Sequence, residues 1–184
     1  MMLKSRGVLS ILITVLLITV VVVMVGKSKA YEEPEEALHA VEEGLTLIPV
    51  KQINEAALYF FIKDDQHIGA AKVKKSIFGW KAGLVSVNPW ERERTGEKLN
   101  RMFVHGEDLL YGVVRRGDER TVKVGNERAA MLDVTAVLPE NKSIEHQWKG
   151  LSIWYIEKNL QSHNEIELIH NGDREVIDSM VLKR

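Results

Sequence analysis

From Val8 to Val25 the chain runs eighteen residues without a charge, and only Ser10, Thr14 and Thr19 interrupt the apolar run with polar side chains. A helix of that length spans about 27 Å, close to the hydrocarbon thickness of a bilayer, so the run is read as a single transmembrane helix. Lys4 and Arg6 precede it and favour a cytoplasmic N-terminus, although Lys27 and Lys29 on the far side dilute the bias. A cleaved signal segment is the alternative, because Ser28 and Ala30 are small residues at the two positions a signal peptidase inspects. An apolar run of eighteen exceeds the roughly 7 to 15 residues of a signal core, which favours retention as an anchor.

Beyond the spacer the pattern is first helical and then strand-like. Glu32-Glu33-Pro34-Glu35-Glu36 puts a proline and carboxylates where a helix begins, Gly44 ends it, and Leu38, Val41 and Leu45 form its narrow apolar stripe. From Leu45 the period becomes two. Ten strands are expected, over 45–53, 56–63, 67–75, 79–87, 109–115, 120–124, 129–137, 147–157, 165–170 and 175–182.

Turn signals fall between the strands at Asp64-Asp65, Gly117-Asp118, Gly125-Asn126, Pro139-Glu140-Asn141 and Asn171-Gly172. The last is expected to form a tight type I′ hairpin. Ala57 to Ile62 is apolar on both alternating faces, as a strand covered from both sides should be, whereas Glu165-Ile166-Glu167-Leu168 alternates as a strand with one wet face. The region 88–100 fits neither period and reads as a charged loop around an exposed or folded-in Trp90. The expected fold is mainly β: an antiparallel β-sandwich with one short N-terminal helix, preceded by the transmembrane helix. Residues 1–30 are the anchor or signal segment with its spacer, and 31–184 the extracytoplasmic domain. The protein is then single-pass in the cell membrane, or secreted if cut after Ala30.

Charge and composition narrow the function. Residues 31–184 hold 21 basic and 26 acidic side chains, a net charge of −5, which is the wrong sign for a nucleic-acid footprint. There is no cysteine, so disulfides, thiolate catalysis and anchoring by a lipidated cysteine are excluded. Stability must come from packing, for which 154 residues suffice.

Ala57-Leu58-Tyr59-Phe60-Phe61, His67 to Lys75, Phe78-Gly79-Trp80-Lys81 and Leu110-Tyr111-Gly112-Val113-Val114 together resemble a group of uncharacterised small extracytoplasmic proteins of Gram-positive, Bacillus-type bacteria that carry an N-terminal signal or lipoprotein anchor. The similarity runs over most of residues 35–178, and the glycine-tryptophan-lysine and tyrosine-glycine-valine steps are its clearest parts. It implies a location and an architecture, not an activity. The chain departs from the lipoprotein members in lacking a cysteine, so a peptide anchor would replace the lipid.

Several local constellations carry chemistry, each beside a plainer reading. His39 with Glu42 and Glu43 has a spacing that metal sites use, but glutamate-rich helix faces produce such triples routinely, and no metal site is assigned. His105, Glu107 and Asp108 could supply proton transfer, or simply a polar turn before the strand at Leu109. Arg116-Gly117-Asp118 matches an adhesion tripeptide and ordinary turn chemistry alike. Asn141-Lys142-Ser143 is a formal glycosylation acceptor, a modification out of keeping with the bacterial resemblance. Neither a serine elbow nor a phosphate-cradling glycine loop is present, and no cofactor is expected. Trp90 with Arg92, Arg94 and Arg101 forms the one basic, aromatic loop, suited to an anionic wall polymer, lipid headgroups or an envelope protein.

The sequence thus points to a membrane-tethered interaction or accessory domain that is not an enzyme. Its membrane contact is Val8 to Val25, and it binds no nucleic acid. The alternative is a cell-envelope hydrolase or metal-dependent enzyme drawing on His105, Glu107 and Asp108.

Overall fold

The computed structural model describes residues 3–28, 30–90, 98–99, 101–115, 120–138, 148–157 and 165–182. The first element, α1 (Leu3–Ser28), is a helix of 26 residues. Its described side chains, 10–25 and Lys27, are all exposed, Ile11 at 65% and Met24 at 68% among them. Thr14 and Thr19 donate their hydroxyls to the carbonyls of Ser10 and Val15, which leaves an apolar surface. Among the described residues no helix is long and apolar enough to cross a membrane. The uncharged part of α1 with described side chains is Ser10 to Val25, sixteen residues.

The remainder is mainly β, with every strand pair antiparallel. A short helix α2 (Pro34–His39) comes first, followed by a meander of four long strands, β1 (Leu45–Ile53), β2 (Ala56–Lys63), β3 (His67–Ser76) and β4 (Gly79–Pro89). A second sheet has the order β5-β6-β10-β9, from β5 (Met102–His105), β6 (Leu109–Arg115), β9 (Ala130–Asp133) and β10 (Leu151–Glu157). A third has the order β12-β11-β7-β8, from β7 (Arg120–Val124), β8 (Glu127–Arg128), β11 (Glu165–His170) and β12 (Val176–Val181).

The alternation along each strand decides which sheets share a core. Leu58, Phe60 and Ile62 of β2 cluster with Leu109, Tyr111 and Val113 of β6, so the first and second sheets face each other. The intervening residues of β6, Leu110 and Val114, join Trp154 and Ile156 of β10 against Val122, Val124, Ile166 and Leu168 of the third sheet. The outer residues of β2, Ala57, Tyr59 and Phe61, pack with Ala37 and Leu38 of α2. Three sheets therefore stand where the sequence suggested two, and both β2 and β6 are covered on two faces. Each fully buried Leu, Ile or Phe in these cores contributes roughly 1.5–3 kcal/mol relative to exposure.

Several boundaries and turns differ from the sequence reading. The segment 129–137 is not one strand: β9 ends at Asp133, whose carboxylate accepts the Thr135 N–H at 3.0 Å and caps a single helical turn, α3 (Val134–Val137). The two successive positive φ angles expected at Asn171-Gly172 occur instead at Asp64-Asp65, 51° and 55°, in a three-residue loop closed by the Lys63–His67 pair, where the Gln66 N–H donates to the Lys63 carbonyl at 3.3 Å. Between β11 and β12 the loop is longer. There Asp173 accepts the Glu175 N–H and contacts His170 Nδ1, both at 3.0 Å, and the positive φ of 63° falls on Arg174. The aspartate competes locally with a two-residue turn and wins. Strands β5 and β8 were not expected; at four and two residues they are too short to show a period. The turn signals at Gly117-Asp118 and Pro139-Glu140-Asn141 lie outside the described residues.

Candidate functional site

The turn between β5 and β6 sends its three candidate residues in different directions. His105 and Leu109 pair across the hairpin, with Gly106 at φ 64° taking the sharp bend. His105, 2% exposed, turns inward between the first two sheets, Asp108 turns toward β3, and Glu107 stays on the exposed turn.

Around His105 lies a polar chain that the sequence did not single out. Ser86 and Asn88 sit two apart on β4 and so share its inner face. Ser86 Oγ lies 2.8 Å from His105 Nδ1, and Asn88 Nδ2 donates to the Tyr111 hydroxyl at 2.9 Å. Tyr111 is completely buried, and burial pushes its phenol up to about 12 although Ser86 and Asn88 both bond it. Burial, followed by the charge of Lys72, holds the His105 imidazole below its ordinary range, against a smaller opposing effect of Asp108. The ring is then neutral at pH 7, and Nδ1 can accept from the half-buried Ser86 hydroxyl.

On the outer side of the turn four charges alternate. Lys72 Nζ lies 2.7 Å from both Asp108 oxygens and 3.5 Å from Glu157 Oε1, and Lys51 pairs with Glu157 Oε2. This row joins β1 and β3 of the first sheet to β10 and the β5–β6 turn of the second. It lines a groove of about 480 Å³ with Ile53, Leu58 and Val73. The Lys72 ammonium, bonded to Asp108, holds that carboxyl below the usual carboxylate range. With both oxygens taken up by Lys72, Asp108 does not orient the imidazole as the acid of a catalytic triad would.

Of the proposed binding loop, Trp90 and Arg101 are among the described residues. Trp90 is 7% exposed, stacks on Trp148 with ring centroids 4.1 Å apart, and donates its backbone N–H to the Gln66 carbonyl at 2.7 Å. It belongs to the core between the first two sheets, with Phe103 and Leu138. Arg101, partly exposed, reaches the Pro89 carbonyl at 3.5 Å. Arg92 and Arg94, like Arg116-Gly117-Asp118 and Asn141-Lys142-Ser143, lie outside the described residues.

His39 is exposed at the end of α2, and Glu42 accepts from Lys63 Nζ at 2.5 Å instead of turning toward it. Among the described residues no three histidines or carboxylates gather as a metal would require. A second groove, about 600 Å³, lies on the third sheet and is lined by Thr121, Lys123, Asn126, Arg128, Asn171 and Arg174.

Sequence reasoning missed Ser86, Asn88, Lys51, Lys72 and Glu157. The available signal was polar residues at inward-facing positions of otherwise apolar strands, as in Val85-Ser86-Val87-Asn88. Comparison with family models, curated proteins and solved structures finds no match to this chain.

Proposed function

We propose that the chain is a membrane-tethered interaction module whose layered β-sandwich stands outside the cytoplasmic membrane. The observation that carries the reading is α1, where every described side chain from Ser10 to Val25 is exposed and none is charged. A helix apolar on all sides has to be covered, and in the full run Val8 to Val25 a bilayer is the cover that fits its length. Lys4 and Arg6 favour the orientation with the β domain outside, and the resemblance to anchored Gram-positive proteins agrees with it. The basic groove of Lys123, Arg128 and Arg174 gives an anionic envelope polymer or protein a place to bind.

The test is protease treatment of intact, wall-stripped cells expressing the full chain. Digestion of residues 31–184 with α1 retained in the membrane pellet is the expected result. Full protection of the domain, or recovery of the intact chain in the soluble fraction, would overturn the proposal.

A second reading, an envelope hydrolase, is favoured by one contact: the Ser86 hydroxyl 2.8 Å from a neutral His105 Nδ1. Labelling of the full chain by a fluorophosphonate, lost in both Ser86→Ala and His105→Ala, would establish it. Absence of labelling at Ser86 returns that pair to a role in the core.

A further inference from the structure

The end of the first sheet nearest α1 differs from its other end. Three residues beyond the helix, Tyr31 exchanges both backbone hydrogen bonds with Trp80, its N–H to the Trp80 carbonyl at 2.9 Å and the reverse at 2.8 Å. Ala30 donates to the Lys27 carbonyl at 3.2 Å, next to that pairing. At Gly79 a Cβ would lie 2.5 Å from the Tyr31 carbonyl oxygen and 3.4 Å from Ala30 Cβ, and Gly79 has φ of 127°. Only glycine lets the β3–β4 hairpin press this closely against the base of the helix.

That hairpin carries an unusual tip. Ile77 is 92% exposed, and Phe78 beside it is partly exposed. Lysines flank them, with Lys75 Nζ over the Trp80 ring at 5.6 Å and Lys81 Nζ over Phe78 at 5.9 Å, while Lys74 is exposed. The neighbouring β1–β2 hairpin ends on the same side and adds Ile53, 59% exposed. At the opposite end, about 30 Å away along β3, the turn is Asp64-Asp65. Apolar tips ringed by lysine and backed by tyrosine and tryptophan are the chemistry of a membrane interface. The nearby opposing charges are Glu55 of the β1–β2 turn, whose carbonyl accepts the Lys75 N–H at 2.7 Å, and Glu32 and Glu33, whereas Glu35 is turned to the Tyr59 hydroxyl at 2.6 Å.

We infer that the β3–β4 hairpin tip docks on the anionic lipid headgroups around the anchor, with Ile77 entering the interface and Lys74, Lys75 and Lys81 pairing with phosphates. This rests on the anchoring reading above. Such docking would hold the domain in one orientation on the membrane.

The chain has no cysteine, so Ile77→Cys gives a unique attachment point for an environment-sensitive fluorophore, and Gln66→Cys at the far end gives the control. The full-length proteins are reconstituted in nanodiscs of phosphatidylcholine alone or with phosphatidylglycerol. The expected result is a blue-shifted, brighter probe at 77 only in the anionic discs, with the probe at 66 unchanged. The shift should be lost in Lys74→Glu/Lys75→Glu/Lys81→Glu, since each lysine near an anionic surface is worth roughly fivefold in association. An unshifted probe at 77 in discs that retain the chain would overturn the docking while leaving the anchor standing, and would turn Ile77 toward a protein partner. Failure of the chain to remain with discs of either composition would overturn the anchoring reading itself.

Discussion

Gly112 of β6 stands directly opposite Trp154 of β10, and the indole lies in the space a side chain would fill. A Cβ at position 112 would come within 2.8 Å of Trp154 Cε2 and 2.6 Å of the Arg101 carbonyl oxygen. The first sheet repeats the device where Gly69 faces Phe61, whose ring would meet a Cβ at 2.0 Å. An aromatic ring laid over a cross-strand glycine keeps a ladder intact while filling the core on one side.

Gly112→Ala should therefore be destabilising although alanine is the smaller perturbation of strand chemistry. Overpacking of this kind costs typically 1–3 kcal/mol. Urea unfolding of the full chain in detergent, followed by tryptophan emission, should show a lower midpoint, and Gly112→Val a still lower one. An unchanged midpoint for both would mean that the contact relaxes freely.

Trp148 is buried against Trp90, so Trp148→Ala should remove about 3–5 kcal/mol. Trp90→Ala should cost nearly as much, as expected of a core residue and not of a residue held exposed for a ligand. A loss under 0.5 kcal/mol for Trp90→Ala, with Trp148→Ala fully destabilising, would return Trp90 to the surface loop.

Acid should weaken the protein in two steps. His105 is held below its ordinary value of 6.5, chiefly by burial, so the unfolded chain takes up a proton more readily than the native one. Its contribution to stability is complete above that value and is lost as pH falls from about 6.5 through the depressed native value. Asp108, lowered from 3.8 mainly by its bond to Lys72, adds a second loss only below that range. Unfolding midpoints measured between pH 7 and 5 should fall, and the slope should flatten in His105→Gln. An identical slope in the variant would assign the acid sensitivity elsewhere.

The row Lys51–Glu157–Lys72–Asp108 is partly solvated, with Asp108 55% exposed, so each pair is worth about 0–1 kcal/mol. Lys72→Met should change stability by less than about 1 kcal/mol and remove most of the salt dependence of the midpoint. A loss of several kcal/mol would show that the row is a clamp between sheets and not a screened surface network.

The strand limits at β1, β2, β6, β7 and β11 match the sequence reading residue for residue, because apolar or alternating runs and the turn residues that bound them are local signals. The same is true of Ala57 to Ile62, whose two apolar faces correctly implied cover on both sides. The charge-free run and the absence of cysteine were equally plain. Turn type was less legible, since Asp173 outcompeted Asn171-Gly172 through a bond visible only once the loop had closed. What the tertiary structure alone decided is which faces meet. Trp90 reaches Trp148, Ser86 finds His105, and Lys51 meets Glu157 across 106 residues, through sheet stacking that no local period encodes. A side chain's environment is fixed by the opposing sheet, and so the local pattern marks Ser86 and Asn88 as polar positions in an apolar strand but not their partners His105 and Tyr111.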